Sequence, residues 1–243
     1  MHNKLIHFKK IDSTNTYGLK KFDELTDGTV IIADEQTAGR GRFDRVWVSE
    51  NYENIYLSFI LKPDKKNYLV NITQYLSVVV AKVIESYEVN CCIKYPNDVL
   101  VYDKKICGIL CESSLKKNVL QGIVLGVGIN LNMPKDIVEN IDRPATSLNL
   151  ITNTKIDKQV FLNKLLDEFF KNYQKVVDEG FSFFKEDYLN RTHFLGKTVW
   201  IQQRDGAIKE EVTALKIDDN GNLVVKTIEN VEKIIYSGDV LLS

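Results

Sequence analysis

Residues 91–132 read CCIKYPNDVLVYDKKICGILCESSLKKNVLQGIVLGVGINLN, a stretch with four short apolar runs separated by polar residues. Such runs, rich in Val and Ile and interrupted by Asn, Asp, Lys and Gly, are typical of strands joined by tight turns. Strands with short connections pair antiparallel, because a parallel pair needs a long crossover. This stretch therefore predicts the antiparallel sheet around which the rest of the chain is arranged.

The flanking sequence adds three strands and the helices that cover the sheet. Apolar runs at 4–8, 29–33 and 55–61 predict strands. An amphipathic helix is expected from the Ser13 cap to about residue 24, and a core helix over 68–87. Asp157 and Gly180 are a start and a stop signal for another long helix, after which 181–190 predicts a shorter one.

After Gly196 the pattern changes to short alternating strands, with Asn220-Gly221 as a hairpin signal. We expect an α+β fold, in which a mixed and largely antiparallel sheet with packed helices forms residues 1–192. A small SH3-like β-barrel follows over 193–243. A piece of that size is marginal alone and should dock on the larger domain.

Composition excludes several classes of function. The chain has 243 residues and a formal net charge of −1. This near-neutral charge argues against a protein whose main function is to bind nucleic acid through a broad basic face. No apolar run is long enough for a membrane span, and the first residues lack the apolar core of a signal peptide. Four cysteines in strand-like runs, without zinc spacing, indicate reduced thiols and a cytoplasmic protein.

The arginines are concentrated in one loop. Only 6 of the 32 basic residues are Arg, and Arg40, Arg42 and Arg45 fall within six positions. They lie in 34–54, a polar stretch without regular period and long enough to suggest function. Alternating Gly and Arg let backbone and guanidinium groups approach an anion closely, and Trp47 adds an aromatic face. A solvated loop or an RNA-binding patch is the alternative.

Three further segments carry polar or glycine signals inside the predicted sheet. Residues 94–98 combine a lysine, a proline turn and an Asn-Asp pair, although Asn and Asp are common in ordinary turns. Lys105 precedes an apolar run, a position from which its ammonium group could enter a pocket. The alternative is a lysine at the sheet edge whose ammonium group reaches solvent. Gly126 and Gly128 interrupt an apolar strand and would give a flat ligand room against the backbone.

The candidate catalytic residues include no obvious protein nucleophile. No Ser-His-Asp arrangement is recognisable, and the three histidines and four cysteines form no metal-ligand cluster. Arginines, lysines, glycines and a few carboxylates remain. This set suits the binding and joining of two anionic small molecules better than hydrolysis through a covalent enzyme intermediate.

The order of these motifs resembles that of the biotin protein ligases over essentially the whole chain. The resemblance rests on Ser-Thr-Asn at 13–15, Gly-Arg-Gly-Arg-x-x-Arg-x-Trp at 39–47, and Lys-x-Pro-Asn-Asp at 94–98. It continues through Lys-x-x-Gly-Ile-Leu at 105–110, Gly-Val-Gly-Ile-Asn at 126–130 and Ser-Gly-Asp-Val at 237–240. Tyr95 departs from the family's usual Trp, a change expected to matter little. The fold implied is that of the biotin ligase catalytic domain, related to class II synthetases.

The resemblance implies a two-step reaction. Biotin and ATP, with Mg²⁺, give biotinyl-5′-AMP and pyrophosphate, and biotin then passes to a lysine of a biotin carboxyl carrier protein. Cations must offset the repulsion between the biotin carboxylate and the α-phosphate, and a closed loop would keep water from the mixed anhydride. Only twelve residues precede Ser13, too few for the DNA-binding domain of bifunctional members, so no DNA binding is expected. Sheet edges could support a homodimer.

The same resemblance assigns site residues. Arg42, Lys105, Asp98 and Lys94 are the expected catalytic residues, with Asp98 orienting or deprotonating the incoming lysine. Ser13, Thr14 and Gln36 would hydrogen-bond the biotin ring system, Gly126 and Gly128 would flank it, and Asn130 would face the ATP phosphates or magnesium. The full expected binding set is Ser13, Thr14, Asn15, Gln36, Gly39, Arg40, Gly41, Arg42, Arg45, Trp47, Lys105, Gly108, Leu110, Gly126, Gly128 and Asn130.

Two other functions are alternatives to biotin ligation. A lipoate–protein ligase resembles biotin ligases in fold and adenylation chemistry, but the Gly-Arg-Gly-Arg loop and the small C-terminal barrel favour biotin. A non-enzymatic nucleic-acid-binding module could use the Arg/Gly loop and Trp47. The near-neutral charge and the lack of interleaved basic and aromatic residues disfavour it.

Overall fold

A computed structural model describes residues 4–202, 208–236 and 238–241. Gln203, Ser237 and the terminal residues of the predicted barrel lie outside the described residues. The larger part of the chain contains β1 (Leu5–Ile11), α1 (Thr14–Lys20), β2 (Val30–Gln36), β3 (Ile55–Leu61), α2 (Leu69–Glu85), β4 (Cys92–Lys94), β5 (Asp98–Val101), β6 (Lys104–Lys116) and β7 (Val119–Ile129). It continues with α3 (Lys135–Glu139), α4 (Leu148–Thr152), α5 (Lys158–Glu179) and α6 (Lys185–Leu189).

The first nine of these elements confirm a mixed, largely antiparallel sheet. Seven strands lie in the order β1-β2-β3-β7-β6-β5-β4, and β1 with β2 is the parallel pair. Side chains alternate between two apolar layers, as expected for a strand covered on both faces. Ile60 and Val124 pack toward α1 on one face, while Phe59 and Leu125 belong to the larger core that α2 and α5 share on the other.

The predicted helices are present with small differences. The core helix runs from Leu69 to Glu85, and Asp157 caps α5 by accepting a hydrogen bond from the Val160 N–H at 2.9 Å. The first helix ends at Lys20 and is followed by a short 3-10 turn. Gly180, with a positive φ of 66°, ends α5, and the predicted helix over 181–190 is divided at Phe184 into a 3-10 turn and α6.

The C-terminal strands form a separate five-stranded antiparallel sheet. They are β8 (Thr198–Gln202), β9 (Glu210–Ile217), β10 (Leu223–Thr227), β11 (Glu232–Ile235) and β12 (Asp239–Leu241), in the order β11-β10-β9-β8-β12. We call these strands and their connections the barrel. Gly221, with a φ of 84°, lies in the turn between β9 and β10 where the hairpin signal predicted it.

The barrel docks on the larger part of the chain, as its small size predicts. The side chains of Asn71 and Gln74 on α2 donate to the carbonyl oxygens of Asn220 and Gly221 at 2.8 and 2.7 Å. The Tyr95 hydroxyl donates to the Ile235 carbonyl at 2.9 Å, so the residue that departs from the family pattern joins the two sheets. None of the helices in the described ranges is long and apolar enough to cross a bilayer.

Candidate active site

One large cavity of about 1140 Å³ lies between the first sheet and the barrel. Every residue of the expected catalytic and binding sets lines this cavity except Gly39. Gly39 lies behind the wall, where a Cβ atom would come 2.4 Å from the Trp47 carbonyl oxygen. The volume slightly exceeds that of ordinary small-molecule pockets, which is consistent with room for two substrates.

Strand register explains how motifs far apart in sequence converge. Ser58, Gly126 and Leu110 are opposite one another on β3, β7 and β6, and the next row along β7 places Gly128 beside Gly108. Residues directly opposite in an antiparallel pair project to the same face. Asp98 on β5 is the partner of Gly108 and extends this second row toward the barrel. The motifs thus form two adjacent rows on the α1 face of the sheet.

A buried polar network forms one wall. Thr14 donates from its backbone N–H and from its hydroxyl to Gln36 Oε1, at 2.8 and 3.2 Å. The Ser58 hydroxyl lies 2.8 Å from Thr14 Oγ1 and 2.5 Å from Asn15 Oδ1. Asn15 Nδ2 donates to Glu112 Oε2 at 2.8 Å. Because Thr14 and Asn15 are almost fully buried, these bonds fix their side chains against the cavity.

Gly126 and Gly128 of β7 receive protein side chains in the structure. A Cβ atom on Gly126 would come 2.2 Å from Asn15 Oδ1, and one on Gly128 would come 2.3 Å from the Trp47 indole. The indole also lies against Gly108, and the Lys105 ammonium is 5.4 Å from its ring centroid. The glycines therefore let Asn15 and Trp47 approach the sheet closely, a role different from the direct ligand contact expected from the sequence.

The loop that carries the arginines has more structure than its sequence indicates. Strand β2 continues to Gln36, Arg40 forms a bridge with Val46, and Arg42–Asp44 form a 3-10 turn. Phe43 adopts a left-handed conformation with φ of 58°. Its ring lies 5.0 and 5.1 Å from the guanidinium carbons of Arg42 and Arg45, within the range of a cation–π contact.

All three loop arginines pair with carboxylates from outside the loop. Arg40 donates to Glu112 on β6 at 2.9 and 3.0 Å. Arg42 and Arg45 donate to the two oxygens of Asp239 on β12 at 3.1 and 2.5 Å. The Arg42 and Arg45 side chains are only 21% and 23% exposed, so these two arginines are not solvated, whereas Arg40 and Val46 of the same loop are exposed. The sequence did not identify Glu112 and Asp239 as partners of these arginines: Glu112 lies in an ordinary strand, and Asp239 had only a place in the Ser-Gly-Asp-Val motif, with no assigned role.

Asp98 lies between two lysines. Its Oδ1 is 2.7 Å from Lys105 Nζ, and its Oδ2 is 3.3 Å from Lys94 Nζ. Burial opposes ionisation of the Asp98 carboxyl, but the two ammonium groups outweigh it and hold the pKa below the ordinary value of 3.8. A carboxylate with a lowered pKa is a weak base. Its paired geometry supports orientation of Lys94 and Lys105 better than proton removal.

This pairing predicts a specific effect of Asp98→Asn on stability. A group with a lowered folded pKa stabilises the fold above its unfolded pKa, and that contribution disappears as the pH falls through the folded pKa. We expect the substitution to cost about 2 kcal/mol at pH 7, since it leaves two partly buried lysines without their counter-charge. The deficit relative to the unsubstituted chain should shrink below about pH 4. Urea unfolding between pH 3 and 7 measures it, and a deficit independent of pH would contradict the pairing.

Two additional polar side chains, those of Asn97 and Asn130, line the cavity. Asn97 donates from Nδ2 to the Ile109 carbonyl and accepts from Arg42 at 3.3 Å. Asn130 donates to the Thr146 carbonyl at 3.0 Å, whereas its buried Oδ1 has no hydrogen-bond partner. An unpaired buried acceptor is costly and unusual. Because Asn130 lines the cavity, its Oδ1 is available to a donor or cation of a bound ligand.

The comparisons with known proteins agree over nearly the whole chain. Residues 7–130 match the Biotin/lipoate A/B protein ligase family, and residues 194–243 match the Biotin protein ligase C terminal domain. The biotin--[acetyl-CoA-carboxylase] ligase of Paracoccus denitrificans is 30% identical, over 89% of this chain and 92% of its own. The bifunctional ligase/repressor BirA of Bacillus subtilis is 34% identical, over 89% of this chain and 66% of its own.

Solved structures show the same relationship. The biotin protein ligase from Aquifex aeolicus, in complex with biotin and ATP, superposes with a TM-score of 0.82 at 31% identity, and the match covers 99% of this chain and 98% of that one. The chain spans slightly less than two thirds of the Bacillus BirA proteins. The mixed sheet, the docked barrel and both matched regions place it in one family: the chain belongs to the biotin protein ligases of the biotin/lipoate A/B protein ligase family.

Proposed function

We propose that the chain activates biotin with ATP to form biotinyl-5′-AMP and pyrophosphate, and then transfers biotin to a lysine of a biotin carboxyl carrier protein or domain. The observation that carries this proposal is the convergence of the expected catalytic and binding residues on one cavity. The complex of the Aquifex aeolicus enzyme with biotin and ATP supports the same pair of substrates.

The buried network fits the recognition of a neutral polar ring. Thr14 and Gln36 present hydroxyl and amide groups that are held by hydrogen bonds to each other and to Ser58, and the Ser13 hydroxyl accepts from the Thr16 backbone N–H at the start of α1. Rigid polar groups discriminate strongly between ligands, because a ligand without the matching donors and acceptors leaves these protein groups unpaired. We assign this wall to the biotin ring system, and the part of the cavity beside the Trp47 indole, which covers Gly108 and Gly128, to the side chain that carries the carboxylate.

The cations of the cavity fit the adenylation step. The biotin carboxylate oxygen attacks the α-phosphorus, the bond from that phosphorus to the bridging oxygen breaks, and pyrophosphate leaves with the electron pair. Lys105, at 2.7 Å from Asp98, and Arg42, held by Asn97 and Asp239, place positive charge around the cavity. Preorganised cations stabilise the charge that develops in the transition state. In the second step the neutral carrier amine attacks the acyl carbon, the bond from that carbon to the phosphate oxygen breaks, AMP leaves with the electron pair, and the amine gives up a proton to solvent.

Magnesium is compatible with the residues present, although the described residues contain no group of three or more acidic, His or Cys ligands. Mg²⁺ keeps several waters and binds mainly through substrate phosphates, so it needs few protein ligands. The unpaired Oδ1 of Asn130 is an oxygen of the required type. When bound with ATP, the ion would neutralise phosphate charge, and Asn130 would orient that side of the substrate.

Gly126→Ala is predicted to weaken biotin binding at least tenfold. The added methyl group would come 2.2 Å from Asn15 Oδ1, and Asn15 cannot move aside without losing its bonds to Ser58 and Glu112. Displacement of this residue disturbs the recognition wall, because a misplaced polar group costs affinity. Calorimetric titration with biotin measures the effect. Unchanged affinity would contradict the placement of biotin beside Asn15, and the melting temperature of the free protein separates unfolding from lost binding.

Transfer of labelled biotin from ATP and biotin to a purified carrier domain tests the function directly. A covalent label that requires ATP and the acceptor lysine is the expected result, and a carrier with that lysine changed to Arg is the control. Failure to form either the adenylate or the labelled carrier would overturn the proposal. ATP-dependent transfer of lipoate in place of biotin would support the rival ligase instead.

The remaining expectations concern localisation, DNA binding and oligomeric state. We infer a cytoplasmic enzyme that does not bind DNA, and the formal net charge of −1 supports the second inference. Monomer and homodimer are the two alternatives for its assembly. The division of the chain at 192/193 is also a proposal. Sedimentation velocity tests the dimer, and a gel shift at physiological salt tests DNA binding.

A further inference from the structure

The strongest unexplained contact at the cavity comes from the barrel. Asp239 is the first residue of β12 and is 9% exposed. Its two carboxylate oxygens accept from Arg42 Nη1 at 3.1 Å and from Arg45 Nη1 at 2.5 Å. A residue almost 200 positions further along the chain thus pairs with two arginines of the loop.

The arginines are fixed on more than one side. Arg42 Nη1 also donates to Asn97 Oδ1 and to the Gly238 carbonyl, both at 3.3 Å. Both guanidinium groups contact the ring of Phe43. Two cations held against one ring repel each other, and a shared carboxylate between them offsets that repulsion. Without Asp239, the loop conformation that brings these arginines together loses its main counter-charge.

The position of Asp239 argues against direct contact with substrate. Both expected substrates are anions near their reacting atoms, so a carboxylate would repel them. Arg42, Arg45 and Asp239 all line the cavity, and the carboxylate is turned toward the arginines. Its effect on a ligand therefore passes through the loop.

We propose that Asp239 is a positioning residue: it ties the barrel to Arg42 and Arg45 and thereby holds the arginine loop over the cavity. The proposal rests on the function proposed above and adds a role for the barrel in that reaction. It predicts that the barrel controls how long the enzyme retains the reactive adenylate, because retention depends on loop closure.

The alternative is that Asp239 only joins the two parts of the chain. A second interdomain ion pair provides the matched control, since Lys185 on α6 contacts Asp219 of the barrel at 2.6 Å. Asp219 does not line the cavity. Asp239→Asn and Asp219→Asn remove the same charge from the same domain, so the two variants separate loop positioning from simple docking.

The first measurement does not depend on catalysis. Trypsin cleaves after Arg42 and Arg45 only when the loop opens, because a protease needs an extended and accessible segment. In the ligand-free full chain, Asp239→Asn should increase cleavage at these two sites about tenfold, whereas Asp219→Asn should leave the rate unchanged. Equal cleavage in the two variants would overturn the proposal.

The second measurement is the release of preformed biotinyl-5′-AMP from each variant. Asp239→Asn should accelerate release roughly tenfold to a hundredfold, the loss expected for charge-assisted hydrogen bonds. Asp239→Glu should restore most of the retention. In an Arg42→Gln/Arg45→Gln background, Asp239→Asn should cause no further change, because its action requires both arginines. The proposal would be overturned if Asp239→Asn still accelerated release in the double-arginine background. It would also be overturned if Asp239→Asn alone released the adenylate as slowly as Asp219→Asn.

The outcomes distinguish this proposal from the proposed function. If the unsubstituted enzyme makes no adenylate, the proposed function fails, and the trypsin measurement still tests whether Asp239 holds the loop. If adenylate forms and both Asp239 readouts match those of the Asp219 control, the positioning role alone is wrong.

Discussion

Lys105→Ala is expected to slow formation of biotinyl-5′-AMP by about a hundredfold to a thousandfold, a range typical for loss of one group that stabilises the transition state. The Lys105 ammonium lies 2.7 Å from Asp98 and 5.4 Å from the Trp47 ring. Its removal takes a cation from the cavity where carboxylate and α-phosphate must meet. The rate of biotin-dependent exchange of labelled pyrophosphate into ATP measures this step.

The adjacent Lys104 offers a matched control for this substitution. It begins β6 beside Lys105, is exposed and does not line the cavity. Lys104→Ala should therefore exchange pyrophosphate at nearly the normal rate. If Lys105→Ala behaves like the control while its melting temperature is unchanged, Lys105 has no role in adenylation.

Arg42→Ala should release the adenylate about tenfold to a hundredfold faster and label lysines less selectively. Arg42 joins the loop to Asn97 and Asp239 through one guanidinium nitrogen, so its loss removes the bonds that hold the loop over the cavity. An opened loop also admits water to the mixed anhydride. Release of radiolabelled biotinyl-5′-AMP by rapid filtration gives the lifetime, and mass spectrometry of a mixed-protein acceptor gives the selectivity.

A variant at the edge of the same loop provides the comparison. Glu50 is exposed and its carboxylate contacts Tyr52, away from the cavity. Glu50→Gln should retain the adenylate as long as the unsubstituted enzyme does. A normal lifetime in Arg42→Ala would remove Arg42 from its proposed role, whatever the effect on the first step.

Local patterns predicted most of the fold. Val and Ile runs with short polar turns indicated the sheet, and helical spacing indicated α2 and α5, because these signals depend only on neighbours along the chain. The parallel pairing of β1 with β2 and the short helices α3 and α4 were not predicted. Strand partners are chosen by contacts between distant segments, and five-residue helices carry too little periodicity to recognise.

The candidate site was predictable only as a set of motifs. Glycine and arginine spacing, with the family resemblance, identified residues that do line one cavity. The partners of those residues were not predictable. Glu112 lies in an ordinary strand 72 positions from Arg40, and Asp239 lies in another sheet, so neither spacing nor composition connects them to the arginine loop.

The sequence by itself determined the elements, the order of the motifs and the concentration of arginine at residues 40–45, since these are properties of neighbouring residues. Tertiary structure decided which charges meet. It placed Asn15 on Gly126 and Trp47 on Gly128, and it brought Asp239 from the barrel to Arg42 and Arg45. The physical reason is that electrostatic and packing contacts depend on distance in space, and the register of two separate sheets sets that distance.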